Sequence, residues 1–486
     1  MSKFNLFFIA TVLLIGFFYE TNYGSDIRLQ SLANCRLALI DQDNELNLYD
    51  WVDNPAYLLF DDKSNWLRFY SGGNYNHTSL VRTYDPRKEQ NLFINFEGLK
   101  QLKSNQAVLG GIRYNFNRKY QLAYALERTP YNDDPLILAD TTTGSIFEDG
   151  PTVFITYNYQ PLKKISIGIE SEYQISTSLK KEYTRPRTIH RNFESKIALV
   201  YKISPRFFVG TFLSGSYLQD QIELQDSWDG KAIYVLEYRS ELVYREKFGN
   251  FDRYIFLNGM DYNLSLQYQT KNQKSQHLLT FHYLRNKQTI EDKTNTVQRS
   301  DSYWFQYGFV LQYDYRFVWK KFVFSLESGM TNADDWSEHP FLPILITERS
   351  CNNLRLGTGI SRRLSKLLLV AEAGFSRTKE DYKDYQSEIY RAGIHDLYSG
   401  KFGIEYYLDP IHVIRAGFSH DYFFPDYYSP RYLSEHASNY FSLGMARVQS
   451  QFEIDFHLDY SIQNTPDNKF RGEGWNIVFY SQIFMN

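Results

Sequence analysis

The sequence predicts an all-β fold: a transmembrane antiparallel up-and-down β-barrel of about 18 strands (roughly 14 to 20), with an N-terminal signal peptide and a short plug-like segment. Three observations carry this. The first is the run 451–462, QFEIDFHLDYSI, which alternates without a break. Phe452, Ile454, Phe456, Leu458, Tyr460 and Ile462 fall on one side, and Gln451, Glu453, Asp455, His457, Asp459 and Ser461 on the other. Successive strand residues face opposite sides of a sheet, so this strand has one apolar and one charged face. The second is the aromatic content of 17%, with 41 Tyr and 37 Phe. That exceeds what a soluble core uses and suits the aromatic girdles of a membrane barrel. The third is a recurring order of strand, very short turn, strand and longer polar connection.

Residues 1–24 read as a signal peptide, in which Lys3 precedes the apolar run Phe4 to Tyr19. Residues 25–62 form a short polar lead, and residues 63–486 the barrel. No later apolar run is long enough for a membrane-crossing helix, and the mean hydropathy is -0.47. The net charge of -3 implies no nucleic-acid partner. Cys35 and Cys351 are the two cysteines, expected as unpaired thiols.

The hairpins read directly from paired alternating runs. Val108 to Phe116 pairs with Tyr120 to Leu126, Val153 to Tyr159 with Ile165 to Tyr173, and Phe193 to Ile203 with Phe207 to Leu213. Phe305 to Phe317 pairs with Phe322 to Met330, Leu354 to Ile360 with Leu367 to Phe375, and Phe402 to Leu408 with Ile414 to Phe418. Long polar connections are expected at 130–150, 176–190, 285–301, 331–351, 377–397 and 422–437. The run Ala232 to Val243, in a charge-rich stretch, reads as an extra hairpin standing above the membrane. The closing WNIVFYSQIFMN is the kind of last strand that barrel-insertion machinery reads, although Phe484 is not terminal.

The segment LYDWVDNPAYLLF places Asn54-Pro55-Ala56 shortly before the first strand. It resembles the N-terminal hatch motif of the FadL-like outer-membrane superfamily, which includes long-chain fatty acid and hydrocarbon transporters and shuttle barrels of type IX secretion. The resemblance implies an outer-membrane location, a plug formed by residues 25–62 near the periplasmic mouth, and transport of a small or hydrophobic solute.

The wet face carries both signs of charge, including Arg113, Glu170, Lys196, Arg316, Arg355, Glu405, Arg415 and Asp455. A mixed set points to ion pairs that stiffen the interior more than to an ion-selective ring. Glu453, Asp455, His457 and Asp459 are too far apart along one strand to hold a metal by themselves, so a hydrated acidic wall is expected. Ser419-His420-Asp421 has the residue types of a hydrolase triad, but neighbours on a strand face opposite sides. No phosphate loop or cofactor fingerprint occurs, so no cofactor is expected. Two apolar stretches, FLPILI at 341–346 and YFFPDYYSPRY at 422–432, are expected in external loops. Phe341, Leu342, Ile344, Phe423, Phe424, Tyr427 and Tyr428 are the candidate capture residues. The leading expectation is passive passage of a small solute. A barrel that scaffolds surface or secretion partners is the second, and an outer-membrane hydrolase the third.

Overall fold

The computed structural model describes residues 31–33, 35, 37, 53–61, 65–79, 86–126, 137–182, 184–224, 234–238, 244–249, 251–270, 274–294, 297–342, 344–425, 435–449, 452–466 and 471–485. The expected signal peptide lies outside them.

The strands run in chain order as β1 (Asn65–Thr78), β2 (Pro86–Lys103), β3 (Gln106–Ala125), β4 (Leu138–Leu162), β5 (Ile165–Lys180), β6 (Pro186–Ser204) and β7 (Phe207–Leu224). A small hairpin follows, β8 (Tyr234–Tyr238) and β9 (Tyr244–Phe248). Then come β10 (Asp252–Gln269), β11 (Ser275–Thr294), β12 (Val297–Trp319), β13 (Phe322–Glu338), β14 (Leu345–Leu364) and β15 (Leu367–Asp384). The last are β16 (Ile389–Tyr407), β17 (His412–Pro425), β18 (His436–Val448), β19 (Phe452–Asn464) and β20 (Arg471–Met485). Each barrel strand pairs antiparallel with the next, and β7 pairs with β10 past the hairpin. The barrel has eighteen strands and closes where Asn65 meets Met485 and Thr78 meets Gly472. Closure leaves no exposed edge, which a bilayer would not tolerate.

Polarity is inverted relative to a water-soluble fold. On β6, Ile197 is 61% exposed while its neighbour Lys196 is 9% exposed. Leu199, Tyr201 and Phe193 also point outward, and so do Ile155 and Val153 on β4. Inward, Thr156, Asn158, Ser265 and His457 are fully enclosed. Each large apolar side chain left in water would forfeit about 1.5–3 kcal/mol, so this exterior belongs in lipid.

The strands are longer than a membrane needs. About ten residues cross a bilayer at the usual tilt, whereas β4 spans 25 and β11 spans 20. The outward apolar band occupies the half of each strand next to the short turns (the turn end). Beyond it, towards the loop end, charged and polar residues stand among apolar ones on both faces, as Asp334 and Asp396 do outside and Asp292 and Asp301 inside, and the strict alternation lapses. This corrects the expected long connections. Residues 285–301 continue as strand to Thr294 and resume at Val297, and 331–351 and 377–397 are likewise mostly strand. Ladder hydrogen bonds persist where the apolar/polar alternation ends, because a wall standing in water has no side that must be apolar. The hairpin is also relocated. It pairs with β4 through Leu138–Glu237 and Ala139–Leu236, and Val235 packs with Leu138, Ile222, Phe251, Ile255 and Ile290. It therefore folds onto the inner wall of the loop end instead of standing free.

Membrane depth gives a direct test. Ile197→Arg, in mid-band, should destabilise the refolded barrel by about 2–4 kcal/mol. Tyr390→Arg, outward on β16 and 64% exposed beyond the band, should leave stability unchanged in denaturant unfolding from lipid. Equal losses would move the band.

Candidate functional site

The turn end of the barrel is occupied by the lead segment. Asn54 caps a single turn of 3-10 helix, Pro55–Tyr57: its side-chain oxygen accepts from the Ala56 amide at 2.9 Å, and Pro55 takes the position where no amide donor is required. This turn is seated against the wall. The Asn158 side chain donates to the Pro55 carbonyl at 2.8 Å, and Asn54 Nδ2 donates to the Thr211 carbonyl at 3.3 Å. Ala56 and Tyr57 pack with the inward residues Ala198, Val200, Phe208, Phe212 and Leu278. Leu58 and Leu59 continue onto Trp66, Leu99, Ala107 and Leu109. Gly168 is required here, since a Cβ at that point would collide with the Pro55–Ala56 backbone.

A second stretch of the lead meets a different part of the wall. Ser31 Oγ lies 3.0 Å from His457 Nδ1, and the Ala33 amide donates to Ser442 Oγ at 3.2 Å. Leu32 and Cys35 pack on Leu368 and Val370. Gly417 lets the Ala33 backbone approach as closely as Pro55 does at Gly168. Arg316, 8% exposed, donates to the Leu37 carbonyl at 3.2 Å. Neither cysteine is in a disulfide, and burial, reinforced by nearby Glu372, pushes the Cys35 thiol up to about 12.

Most of the buried charges described inside the barrel are paired with an opposite charge. Lys196 meets Asp53 of the lead at 2.5 Å, Glu170 at 3.2 Å and Glu194 at 3.6 Å. Arg415 bridges Glu405, at 3.0 Å, and Asp455. His457 Nε2 lies 2.6 Å from Asp459. The expected hydrated acidic wall is therefore corrected for Asp455 and His457, which are 2% and 0% exposed; Asp455 pairs with Arg415 through one oxygen, and His457 meets Ser31 and Asp459. At the loop end Lys180 and Asp140 form a fully enclosed pair at 2.8 Å, and Arg349 reaches Asp335 at 2.6 Å. Removing one partner of such a pair leaves a buried charge uncompensated.

Glu237, Asp292 and Asp301 bring three carboxylate oxygens within 4.8 Å of one another, a spacing that could hold a cation. Arg253, 1% exposed, bonds all three, with Asp292 Oδ1 at 3.0 Å and Asp301 at 3.2 Å. Arg245 and Lys247 of the hairpin also contact them, so three cations balance three anions. The cluster pins the hairpin to the mouth and has no charge left over for a metal. Sequence reading missed it because its members come from β8 to β12 and obey no local spacing.

The proposed capture residues separate. Phe341, Leu342 and Ile344 lie between β13 and β14 at the loop end and are 71%, 51% and 54% exposed. Phe423 and Phe424 belong to strand β17, not to a loop, and face opposite sides. Phe423 turns inward, its ring 6.2 Å from buried His395 and 5.5 Å from His436, while Phe424 is exposed on the exterior. Tyr427 and Tyr428 lie outside the described residues. Ser419 and Asp421 point inward and His420 outward, with its Nδ1 2.9 Å from Asn439, so the three do not form a relay.

A closed sheet with an apolar exterior and a charged, partly filled interior defines an integral membrane β-barrel. Within that class, the chain belongs to a family of unknown function (DUF6850), whose profile matches residues 55–465. No curated protein matches the sequence. Similar solved structures include the copper transporter OprC, 8% identical over 86% of this chain and 80% of that one, with a TM-score of 0.46. Another is the outer-membrane transporter YddB from Escherichia coli, 8% identical over 87% and 81%, TM-score 0.43. The CymD monoaromatic hydrocarbon channel is 11% identical over 94% and 97%, TM-score 0.36.

The buried thiol reports on the lead segment. In a Cys351→Ser background, Cys35 should react with a polar maleimide at pH 7 at least tenfold more slowly in the folded barrel than in urea. Equal rates would mean that the segment leaves the lumen freely.

Proposed function

We propose that this chain is an outer-membrane barrel with its turn end in the periplasm, through which a small, hydrophobic solute passes down its gradient. The lead segment around Asn54, Pro55 and Ala56 acts as the gate. The observation that carries this reading is the way that segment is held. It rests on glycine-smoothed wall, and its described polar contacts run through individual side chains: Lys196 to Asp53, Asn158 to Pro55, Asn54 to Thr211, Ser442 to Ala33, His457 to Ser31 and Arg316 to Leu37. A segment held by side chains, with no ladder pairing to the wall among the described residues, can be released. Phe341, Leu342 and Ile344 at the rim and Phe423 on the inner wall would then be successive apolar landing points for the solute. Surrounding lipid and the insertion machinery that reads β20 are the implied partners.

A second reading has its own support: a non-transporting barrel that scaffolds surface or secretion partners. The Arg253 cluster and the inward-folded hairpin occupy the loop end, and a permanently filled lumen would suit a scaffold. Among the described residues, Ser419, His420 and Asp421 do not converge, which gives the hydrolase reading no support.

Liposome swelling separates the two. Asp53→Asn combined with Gly168→Val should unseat the gate and raise entry of fatty acids, hydrocarbons or sugars several-fold over the wild type. If neither form passes any of them and envelope proteins co-purify with the barrel, transport is excluded.

A further inference from the structure

Several exterior cations on this barrel are ion-paired. Arg377 pairs with Asp396 at 2.9 Å, Lys383 with Glu348 at 3.1 Å and Arg187 with Glu223 at 3.6 Å. Arg285 and Lys287, on the outward face of β11, have no carboxylate within ion-pair distance among the described residues. Instead both lie over rings of β12. The Arg285 guanidinium is 5.8 Å from the Tyr307 ring centre, and the Lys287 ammonium is 5.5 Å from that of Tyr303 and 5.6 Å from that of Phe305. The strand register sets this, because Arg285 is directly opposite Tyr307 and Lys287 opposite Phe305. The exposed acid in the same row, Asp334, is opposite Tyr307 on β13, with the ring between it and Arg285.

Their height on the barrel is informative. From the turn end, the outward residues of β11 are His277, Leu279, Phe281 and Tyr283, and Arg285 is the first charge above them. Ten residues beyond Ser275, at about 3.3 Å each and a tilt near 45°, lie about 23 Å up, close to the height of a barrel's apolar band. Unpaired cations at that level meet lipid headgroups.

We propose that Arg285 and Lys287, backed by Tyr303, Phe305 and Tyr307, bind the phosphorylated headgroup of a glycolipid in the leaflet at the loop end. The two cations stand at successive outward levels, about 7 Å apart along the strand, which suits a headgroup carrying more than one anion. Beside them Tyr303, Phe305 and Tyr307, the last two packed against Trp336, form an aromatic bed suited to the C–H face of a sugar. A glycerophospholipid with a single phosphate engages one level only. This inference rests on the proposed outer-membrane location with the turn end in the periplasm, and not on transport.

The test uses the full mature protein in detergent, with binding followed by native mass spectrometry for three probes: diphosphoryl lipid A, its phosphate-free form and phosphatidylglycerol. The wild type should prefer diphosphoryl lipid A to either of the others by about tenfold or more. Arg285→Gln with Lys287→Gln should weaken that binding about tenfold, each single change by less, and added salt should mimic the loss. Lys383→Gln, which removes a cation already paired with Glu348, should change nothing. The site is ruled out if the double variant binds like the wild type, or if removing the phosphates or substituting phosphatidylglycerol makes no difference. A protein that needs no detergent to stay dispersed would instead overturn the membrane reading, and that is visible before any lipid is added.

Discussion

The constraint on which the rest of this structure depends is backbone hydrogen bonding in a medium that supplies none. Inside a bilayer an unpaired amide or carbonyl costs several kcal/mol, so a sheet must close on itself. Meeting of β1 and β20 removes the edge, and the even strand number returns the chain to the end at which it entered. Once the ring is closed, the two-residue period has only one assignment: Ile197, Leu199 and Tyr201 face lipid, and Lys196, Ala198 and Val200 face inward.

A closed ring also creates an interior that must be filled or hydrated. Along the turn end it is filled by the lead segment, and the wall is shaped for that segment with small inward residues such as Ala198, Gly168 and Gly417. Elsewhere the inward charges satisfy one another across strands, as Arg415 does with Glu405 and Asp455. Taking those groups out of water is tolerable only because nearly every one has a partner, which also makes the interior sensitive to loss of a single charge. The Arg253 cluster applies the same logic at the loop end, where it fastens a hairpin that has no ring of its own to join.

Much of this was legible in the sequence wherever lipid contact enforced a pattern. β19 is readable residue by residue, and the hairpins around Asn117-Arg118-Lys119 and Ser204-Pro205-Arg206 follow from alternating runs. Legibility failed where that pressure stops. The upper halves of β11 to β16 mix charged and polar residues with apolar ones on both faces and look like loops, although their ladders continue. Phe423 and Phe424 seemed one patch because composition says nothing about facing. A signal for the docked lead was present in the run IALVY at 197–201. There large and small apolar residues alternate, which marks a strand with lipid on one side and packed protein on the other. The resemblance carried by Asn54-Pro55-Ala56 pointed to a segment near the mouth, but a strand number of eighteen exceeds the fourteen usual for that superfamily. The Arg253 cluster had no sequence signal, because its partners meet only after the barrel closes.

The account as a whole is most directly tested by depth-sensitive labelling along β6. Single cysteines placed from Phe193 to Tyr201 in a cysteine-free background would each carry a fluorophore, in liposomes containing brominated lipid. Quenching should be strong at 193, 197, 199 and 201 and weak at 194, 196, 198 and 200, a strict every-second-residue oscillation. Uniform quenching, or none at any position, would contradict a barrel with lipid outside and a polar interior.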